Sequence, residues 1–200
     1  MDISFDSASD FSDQVFKRVT YQKQQINRKT FNTCTFTNCS FMEAAFTNCR
    51  FVDCTFKECD LRMMTVKGSA FTNTQFEKSK VIGMNWAEGT WAKSGLLNSI
   101  GFSECDISYC TFIGLNLRKI KIIQCTAKDT DFAEADLTEA DCTYTDFTES
   151  RFLHTDLTGA DFRHATNYSI SPLLNKLKKA KFSLPEAVAL LYGLDIVIEQ

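Results

Sequence analysis

The stretch Phe31-Asn32-Thr33-Cys34-Thr35-Phe36-Thr37-Asn38-Cys39-Ser40-Phe41 decides how this chain folds. Phe returns at every fifth residue, and a small residue, Cys34 or Cys39, stands two places before the next one. Working outward, the same beat extends back to Phe11 and forward through Phe46, Phe51, Phe56, Leu61, Val66, Phe71, Phe76, Val81 and Trp86 to Trp91. It resumes at Phe102 and passes through Ile107, Phe112, Leu117, Ile122, Phe132, Leu137 and Phe147 to Phe162. Sixteen of the eighteen Phe residues lie on this grid. An internal repeat of fixed period therefore governs the architecture.

A period of five suits neither common element. On an α-helix five residues advance about 140° net, so the apolar positions spiral and leave no stripe to bury. On a strand five is odd, and successive apolar side chains point to opposite faces. The pattern becomes consistent if the chain turns a corner once per repeat, so that every fifth side chain points at one axis. The position two before each large residue reads Cys34, Cys39, Ala44, Cys49, Cys54, Cys59 and, later, Cys105, Cys110, Cys125, Thr130, Ala135, Ala140. One large and one small residue then point inward per repeat, as a narrow close-packed lumen requires. The other three face water.

The repeats Cys34-Thr35-Phe36-Thr37-Asn38, Ala135-Asp136-Leu137-Thr138-Glu139 and Ala160-Asp161-Phe162-Arg163-His164 resemble the pentapeptide-repeat family over about residues 31–165. The resemblance implies an all-β solenoid, a right-handed quadrilateral β-helix with four repeats per coil and nearly seven coils in that span. Three segments are expected: an N-terminal lead-in at 1–20, the β-helix at 21–168, and a C-terminal helical cap and dimerisation segment at 169–200. Coils before residue 31 would place Gln14, Gln24 and Lys29 at inward positions, where burial is costly. Trp91 and Phe102 are eleven residues apart, so the register slips by one at about 92–101, which predicts a bulge rather than a long loop.

After Ala165 the beat stops. Ser171-Pro172 reads as an N-cap and first helical residue, opening a short helix through Lys179 with Leu173, Leu174 and Leu177 on one side. Ser183-Leu184-Pro185-Glu186 fits a capping box for a second helix to Tyr192, with Gly193 placed to end it. Residues 195–199 read as a final strand. A solenoid leaves its last coil open, so this apolar tail must cover that end, join two subunits, or both. The tail also resembles that of the subgroup of the family associated with resistance to albicidin. That implies a homodimer through Leu184, Val188, Leu191, Leu194, Ile196 and Ile198.

The nine cysteines fit the grid: eight take the small inward position and Cys142 a large one. They read as reduced core thiols of a cytoplasmic protein, not a disulfide scaffold or a zinc site. No cofactor and no metal is expected. No apolar run is long enough to span a bilayer, and membrane association is not expected. Catalysis is a poor reading. The only histidines, His154 and His164, fall on outward positions ten residues apart, hence on opposite sides of a four-sided coil. No phosphate loop or nucleophile motif is present.

Charge is uneven along the chain. Residues 31–127 carry eight acids and ten bases. Residues 128–161 carry Asp129, Asp131, Glu134, Asp136, Glu139, Asp141, Asp146, Glu149, Asp156 and Asp161 against Lys128 and Arg151. Over less than two coils this matches the charge density of duplex DNA, about one charge per 1.7 Å. Quinolone-resistance members of the family are proposed to mimic DNA and bind DNA gyrase or topoisomerase IV. The resemblance implies the same partner here, with these ten acids as the contact set and no direct nucleic-acid binding. The alternative is an interaction scaffold for another protein, in which the repeat favours Asp before the large residue for local hydrogen bonding and solubility.

Overall fold

The computed structural model describes residues 5, 8–91, 100–194 and 196. The chain winds into a right-handed, four-sided β-solenoid of about eight turns with one short helix near the C-terminus. Strands pair in parallel with the segment twenty residues on. On one side β1 (Asp10–Ser12), β4 (Thr30–Asn32), β7 (Arg50–Val52) and β9 (Ala70–Thr72) align Phe11, Phe31, Phe51 and Phe71. On the next, β2 (Val15–Lys17), β5 (Thr35–Thr37), β8 (Thr55–Lys57) and β10 (Thr74–Glu77) align Phe16, Phe36, Phe56 and Phe76. On another, β3 (Gln25–Asn27) and β6 (Ala45–Thr47) align Ile26 and Phe46. Rings stack directly above one another at 4.9, 4.5 and 5.1 Å along the column from Phe16 to Phe76. That is the spacing of hydrogen-bonded strands, so packing and backbone pairing share one repeat length.

Nearly every corner is made by the residue two after the large one; at Trp86–Glu88 a 3-10 turn replaces it. The corner residues take φ near +55°, as at Asn38, Arg18 and Glu58, and Gly68, Gly83, Gly114 and Gly159 occupy the same position. A left-handed backbone is unfavourable for residues with a Cβ. Here the ladder imposes it: the Asn38 N–H donates to the Lys57 carbonyl of the next coil at 3.0 Å.

The small inward residues have a second task beyond fitting. Cys39 Sγ, Ser69 Oγ, Thr130 Oγ1 and Thr145 Oγ1 donate to the carbonyls of Phe16, Phe46, Ile107 and Ile122, each twenty-three residues earlier. A thiol or hydroxyl at this position thus satisfies a carbonyl in the coil before it. All nine cysteines are free and buried.

The structure corrects the sequence expectations at three places. Coils begin earlier than residue 21: β1 and β2 lie within 1–20 and are paired to the second coil. Gln14 and Gln24 are exposed, and the Lys29 amine reaches out to the Ala8 carbonyl at 2.6 Å. The first coil has no layer before it, so inward polar side chains escape past the open end. Phe5 closes that end, its ring 5.1–5.8 Å from those of Tyr21, Phe16, Phe31 and Phe11.

The second correction concerns the register slip. β10 pairs with β11 (Ile100–Ser103) by aligning Phe76 with Phe102, an offset of twenty-six rather than twenty, whereas β11 pairs with β12 (Ile122–Ile123) at the usual twenty. Lys80 with Asp106 and Asn85 with Thr111 share that offset. The coil count therefore has six additional residues, not one. Five of the six preserve the phase of a five-residue beat and are invisible to it. The expected bulge itself falls on 92–99, outside the described residues.

The third correction is at the C-terminus. The solenoid continues past residue 168, and no helix forms at 171–179. Asp156 bridges Lys176, and β13 (Asp161–Phe162) pairs with β14 (Lys181–Phe182). Pro172, Leu177 and Phe182 stand twenty residues after Phe152, Leu157 and Phe162. Asn175 takes the small inward position. Its Oδ1 accepts the Thr155 N–H at 2.9 Å, while its Nδ2 donates to the Phe152 and Ser171 carbonyls at 3.2 and 3.0 Å. The second helix does form, as a 3-10 helix over Glu186–Leu194 that includes Gly193. Ser183 makes no capping box; its Oγ accepts the His164 N–H at 3.1 Å. Of the expected strand at 195–199, all but Ile196 lies outside the described residues.

Candidate functional site

The ten acids of residues 128–161 arise from two repeat positions. Asp131, Asp136, Asp141, Asp146, Asp156 and Asp161 precede a large residue. Each accepts the backbone N–H two residues later, for example Ala133 to Asp131 and Thr138 to Asp136 at 2.9 Å, with Thr143, Thr148, Thr158 and Arg163 doing the same. These carboxylates brace the start of each side. Asp129, Glu134, Glu139 and Glu149 are instead corner residues with positive φ.

Placed on the coil, nine of the ten gather at three successive corners. Asp129 and Asp131 share one with Glu149 in the coil after them. Glu134 and Asp136 share the next with Asp156, and Glu139 and Asp141 the third with Asp161; Asp136 bridges Asp156 and Asp141 bridges Asp161 directly. Asp146 stands apart at the fourth corner beside Tyr144, where Asn167 Nδ2 donates to it at 2.8 Å. The acids therefore flank two adjacent sides of the rod.

Cations interleave with them. Asp131 pairs with Arg151 at 3.1 Å, Asp136 with Arg118 at 3.4 Å, Glu139 with Lys119 at 3.3 Å and Glu149 with Lys128 at 3.6 Å. Asp156 pairs with Lys176 at 3.0 Å, and Asp161 with Arg163 and Lys181 at 2.7 and 3.4 Å. The Arg163 guanidinium holds the Asp161 carboxyl down at about 2. At Asp156 burial works to raise the pKa, but the Thr158 hydrogen bond and Lys176 together bring it below the usual value. Lys176 and Lys181 escape the sequence reading as partners because it ends the β-helix at 168. Counting twenty from Asp156 and Asp161 finds both. Asp129, Glu134, Asp141 and Asp146 have no ion pair among the described residues.

Between the first two acidic corners runs an apolar ladder of Ile113, Ala133, Leu153 and Leu173, spaced twenty residues apart. Ile113 and Leu173 are exposed. Of the residues expected at a dimer contact, Leu184, Leu191, Leu194 and Ile196 are exposed, Val188 is half-buried, and Ile198 lies outside the described residues. His154 and His164 fall on opposite sides of the coil, and His164 stacks on Tyr144 with ring centroids 4.7 Å apart. Among the described residues no helix is long and apolar enough to cross a membrane.

A sequence profile described as pentapeptide repeat region matches residues 29–107. A second, of eight pentapeptide repeats, matches 116–153 and 128–164. No curated protein sequence matches significantly. Among solved structures, a trypsin-treated form of QnrB1, a plasmid-mediated fluoroquinolone resistance protein, is similar with a TM-score of 0.67. It is 16% identical, over 92% of this chain and 100% of that one. Full-length QnrB1 has a TM-score of 0.55 at 15% identity, over 94% and 100% of the two chains. The likeness is one of fold.

Proposed function

The chain belongs to the pentapeptide-repeat family, and from that premise we propose that it is a non-enzymatic DNA mimic. Its partner is a type II topoisomerase, DNA gyrase or topoisomerase IV, which it modulates or protects from inhibitors such as quinolones or albicidin. The observation that carries this reading is the gathering of nine carboxylates at three successive corners of a rigid rod. Their spacing along the rod is set by the backbone ladder, so the charge pattern is preorganised rather than assembled on binding. The interleaved cations do not cancel it for a partner. Exposed ion pairs are worth little, and a basic groove can exchange them for its own. Such complementarity supplies steering and register more than affinity, and weakens with salt. A homodimer through the exposed apolar tail would set two acidic rods about one two-fold axis.

The test is a supercoiling assay with purified gyrase, with and without drug, together with binding at low salt. Glu134→Gln, Glu139→Gln and Glu149→Gln combined should weaken binding at least tenfold and leave the thermal midpoint unchanged. No inhibition, no protection and no binding by the unaltered chain sinks the proposal. Leu191→Asp should give a monomer by light scattering; a persisting dimer removes the tail from the interface. A second reading, a scaffold for another protein, draws on the Ile113–Leu173 ladder, an apolar strip that DNA does not have. A partner that survives high salt and is lost on Ile113→Asp favours it.

A further inference from the structure

The corner that carries Asp129 and Glu149 is apolar in the coils before them. Its backbone ladder runs without a break: the N–H groups of Met63, Gly83, Tyr109 and Asp129 donate to the carbonyls of Ile82, Ser108, Lys128 and Thr148 at 2.8–3.0 Å. Met63, Gly83, Tyr109, Asp129 and Glu149 therefore stand one above another, about 19 Å from first to last at the spacing of paired strands. Gly83 leaves room for Met63 to lie along this edge, since a Cβ at 83 would run into Met63 Sδ. Met63 and Tyr109 are each 57% exposed. Ile82 is half-buried on the adjoining side, and Arg62 beside it is taken up by Asp60 at 2.8 and 2.6 Å.

A bulky side chain is not what this corner asks for, because a left-handed backbone disfavours it. Among the described residues with positive φ, all are glycine or polar except Met63, Tyr109 and Tyr144. Tyr144, 58% exposed at the fourth corner, spends its ring on His164. Tyr109 stands between Gly83 and Asp129, neither of which has a ring to stack on it. Protein interfaces concentrate Tyr and Met at their centres and leave charge to the rim. One edge of the rod thus holds both parts in sequence, an apolar stretch and then an acidic one.

We propose that this corner is the edge by which the rod enters its protein partner, with Met63 and Tyr109 as the apolar anchor and Asp129 and Glu149 as the charged guide. The inference rests on the topoisomerase reading above and adds which of the three acidic corners is used. The partner surface it fits has basic side chains along one stretch of a groove and an apolar socket about two coils, or 10 Å, further along. DNA has nothing to put in that socket, so the rod can be held by the protein without competing on charge alone. The corner with Glu139 and Asp161 is diagonally opposite and faces away from the groove. The guide acts through Coulomb attraction and is screened by salt, whereas burial of the anchor is not.

The test is binding of the full chain to purified gyrase at low and at high salt. Tyr109→Asn suits the left-handed corner, as Asn38 does, so it should keep the thermal midpoint. It should weaken binding about tenfold at both salt concentrations, the loss expected of a central anchor, and Met63→Gln should act in the same direction. Glu149→Gln should weaken binding at low salt and much less at high salt. Tyr144→Asn and Glu139→Gln, on the other corners, should leave binding unchanged. If the unaltered chain does not bind, the topoisomerase reading falls and this inference with it. If the unaltered chain binds and Tyr109→Asn and Met63→Gln bind equally well, the edge assignment alone is overturned, as it is by an equal loss in Tyr144→Asn. Tyr109→Asn that dissociates an oligomer by light scattering while gyrase binding holds would make a second copy the occupant and overturn it too.

Discussion

Ser69 Oγ accepts the Cys49 N–H at 2.9 Å from one coil away, and donates its own proton to the Phe46 carbonyl at 2.9 Å. The side chain is inserted into the turn of the preceding coil, between the two groups that would otherwise bond each other. The same insertion recurs where Ser79 receives Cys59, Cys105 receives Ser79 and Thr145 receives Cys125. Where the residue twenty later has no donor, the turn closes on itself. Ala44 N–H donates to Phe41 at 2.9 Å with Met64 next along, and Ala140 to Leu137 at 3.0 Å with Ala160 next along. Residue type at the small inward position thus shapes the corner of the coil before it, though a hydroxyl does not always open the turn: Ala135 still donates to the Phe132 carbonyl at 3.1 Å with Thr155 next along.

This predicts a modest cost for Ser69→Ala, about 1 kcal/mol in urea unfolding. The orphaned Cys49 N–H can swing onto the Phe46 carbonyl, as Ala44 does onto Phe41. Ser69→Cys should be nearly neutral. A loss of 3 kcal/mol or more for the alanine variant would mean the turn cannot re-close.

The repeat was legible because one side chain per five residues meets its own equivalent twenty residues away, as Phe31 meets Phe51. What the beat cannot register is any insertion that preserves its phase, which is why twenty-six residues between Phe76 and Phe102 read as a slip of one. The last coil was hidden for a different reason. Asn167 and Pro172 occupy slots where an apolar residue is expected, and Ser171-Pro172 imitates a helix start. With that coil went Lys176 and Lys181, and so the ion pairs of Asp156 and Asp161. The acids themselves were plain in sequence; their sharing of three corners depends on the coil length.

Asn175→Leu removes the amide that serves Thr155, Phe152 and Ser171. We expect a loss of about 1–3 kcal/mol, the range for stranding a buried polar group. A solenoid is stabilised coil by coil through nearest neighbours, so the damage should stay local. Hydrogen exchange should accelerate at Lys176 and Lys181 and remain unchanged at Thr30 and Thr35. Uniform acceleration along the rod would contradict a coil-by-coil stability.

Asp161 gives a signature in acid. Its carboxyl is held at about 2 by Arg163, against about 3.9 in an unfolded chain. A depressed folded pKa means the stabilisation is present above the unfolded value and is lost as pH falls through the folded one. Between about pH 4 and pH 2 the last coil should therefore loosen. In Asp161→Asn the thermal midpoint should start lower at pH 7 and fall less steeply across that window. Parallel pH profiles for the two proteins would assign the acid sensitivity elsewhere.

The thiols give the opposite signature in alkali. Burial pushes Cys105 up to about 11, and Cys110 and Cys125 up to about 12, and holds Cys142 well above the ordinary thiol value. An unfolded thiol ionises near 8.5. Here the folded pKa is raised, so the stabilisation is complete below about pH 8.5 and is lost as pH climbs toward the folded values. The urea midpoint should fall from pH 8 to pH 11. Cys125→Ser, which retains a donor and acceptor as Thr145 does, should flatten part of that fall. At pH 8 a thiol reagent should leave the native chain unmodified and label all nine cysteines once urea unfolds it. Rapid labelling of Cys110 or Cys142 in the native state would show that the lumen opens far more often than its packing implies.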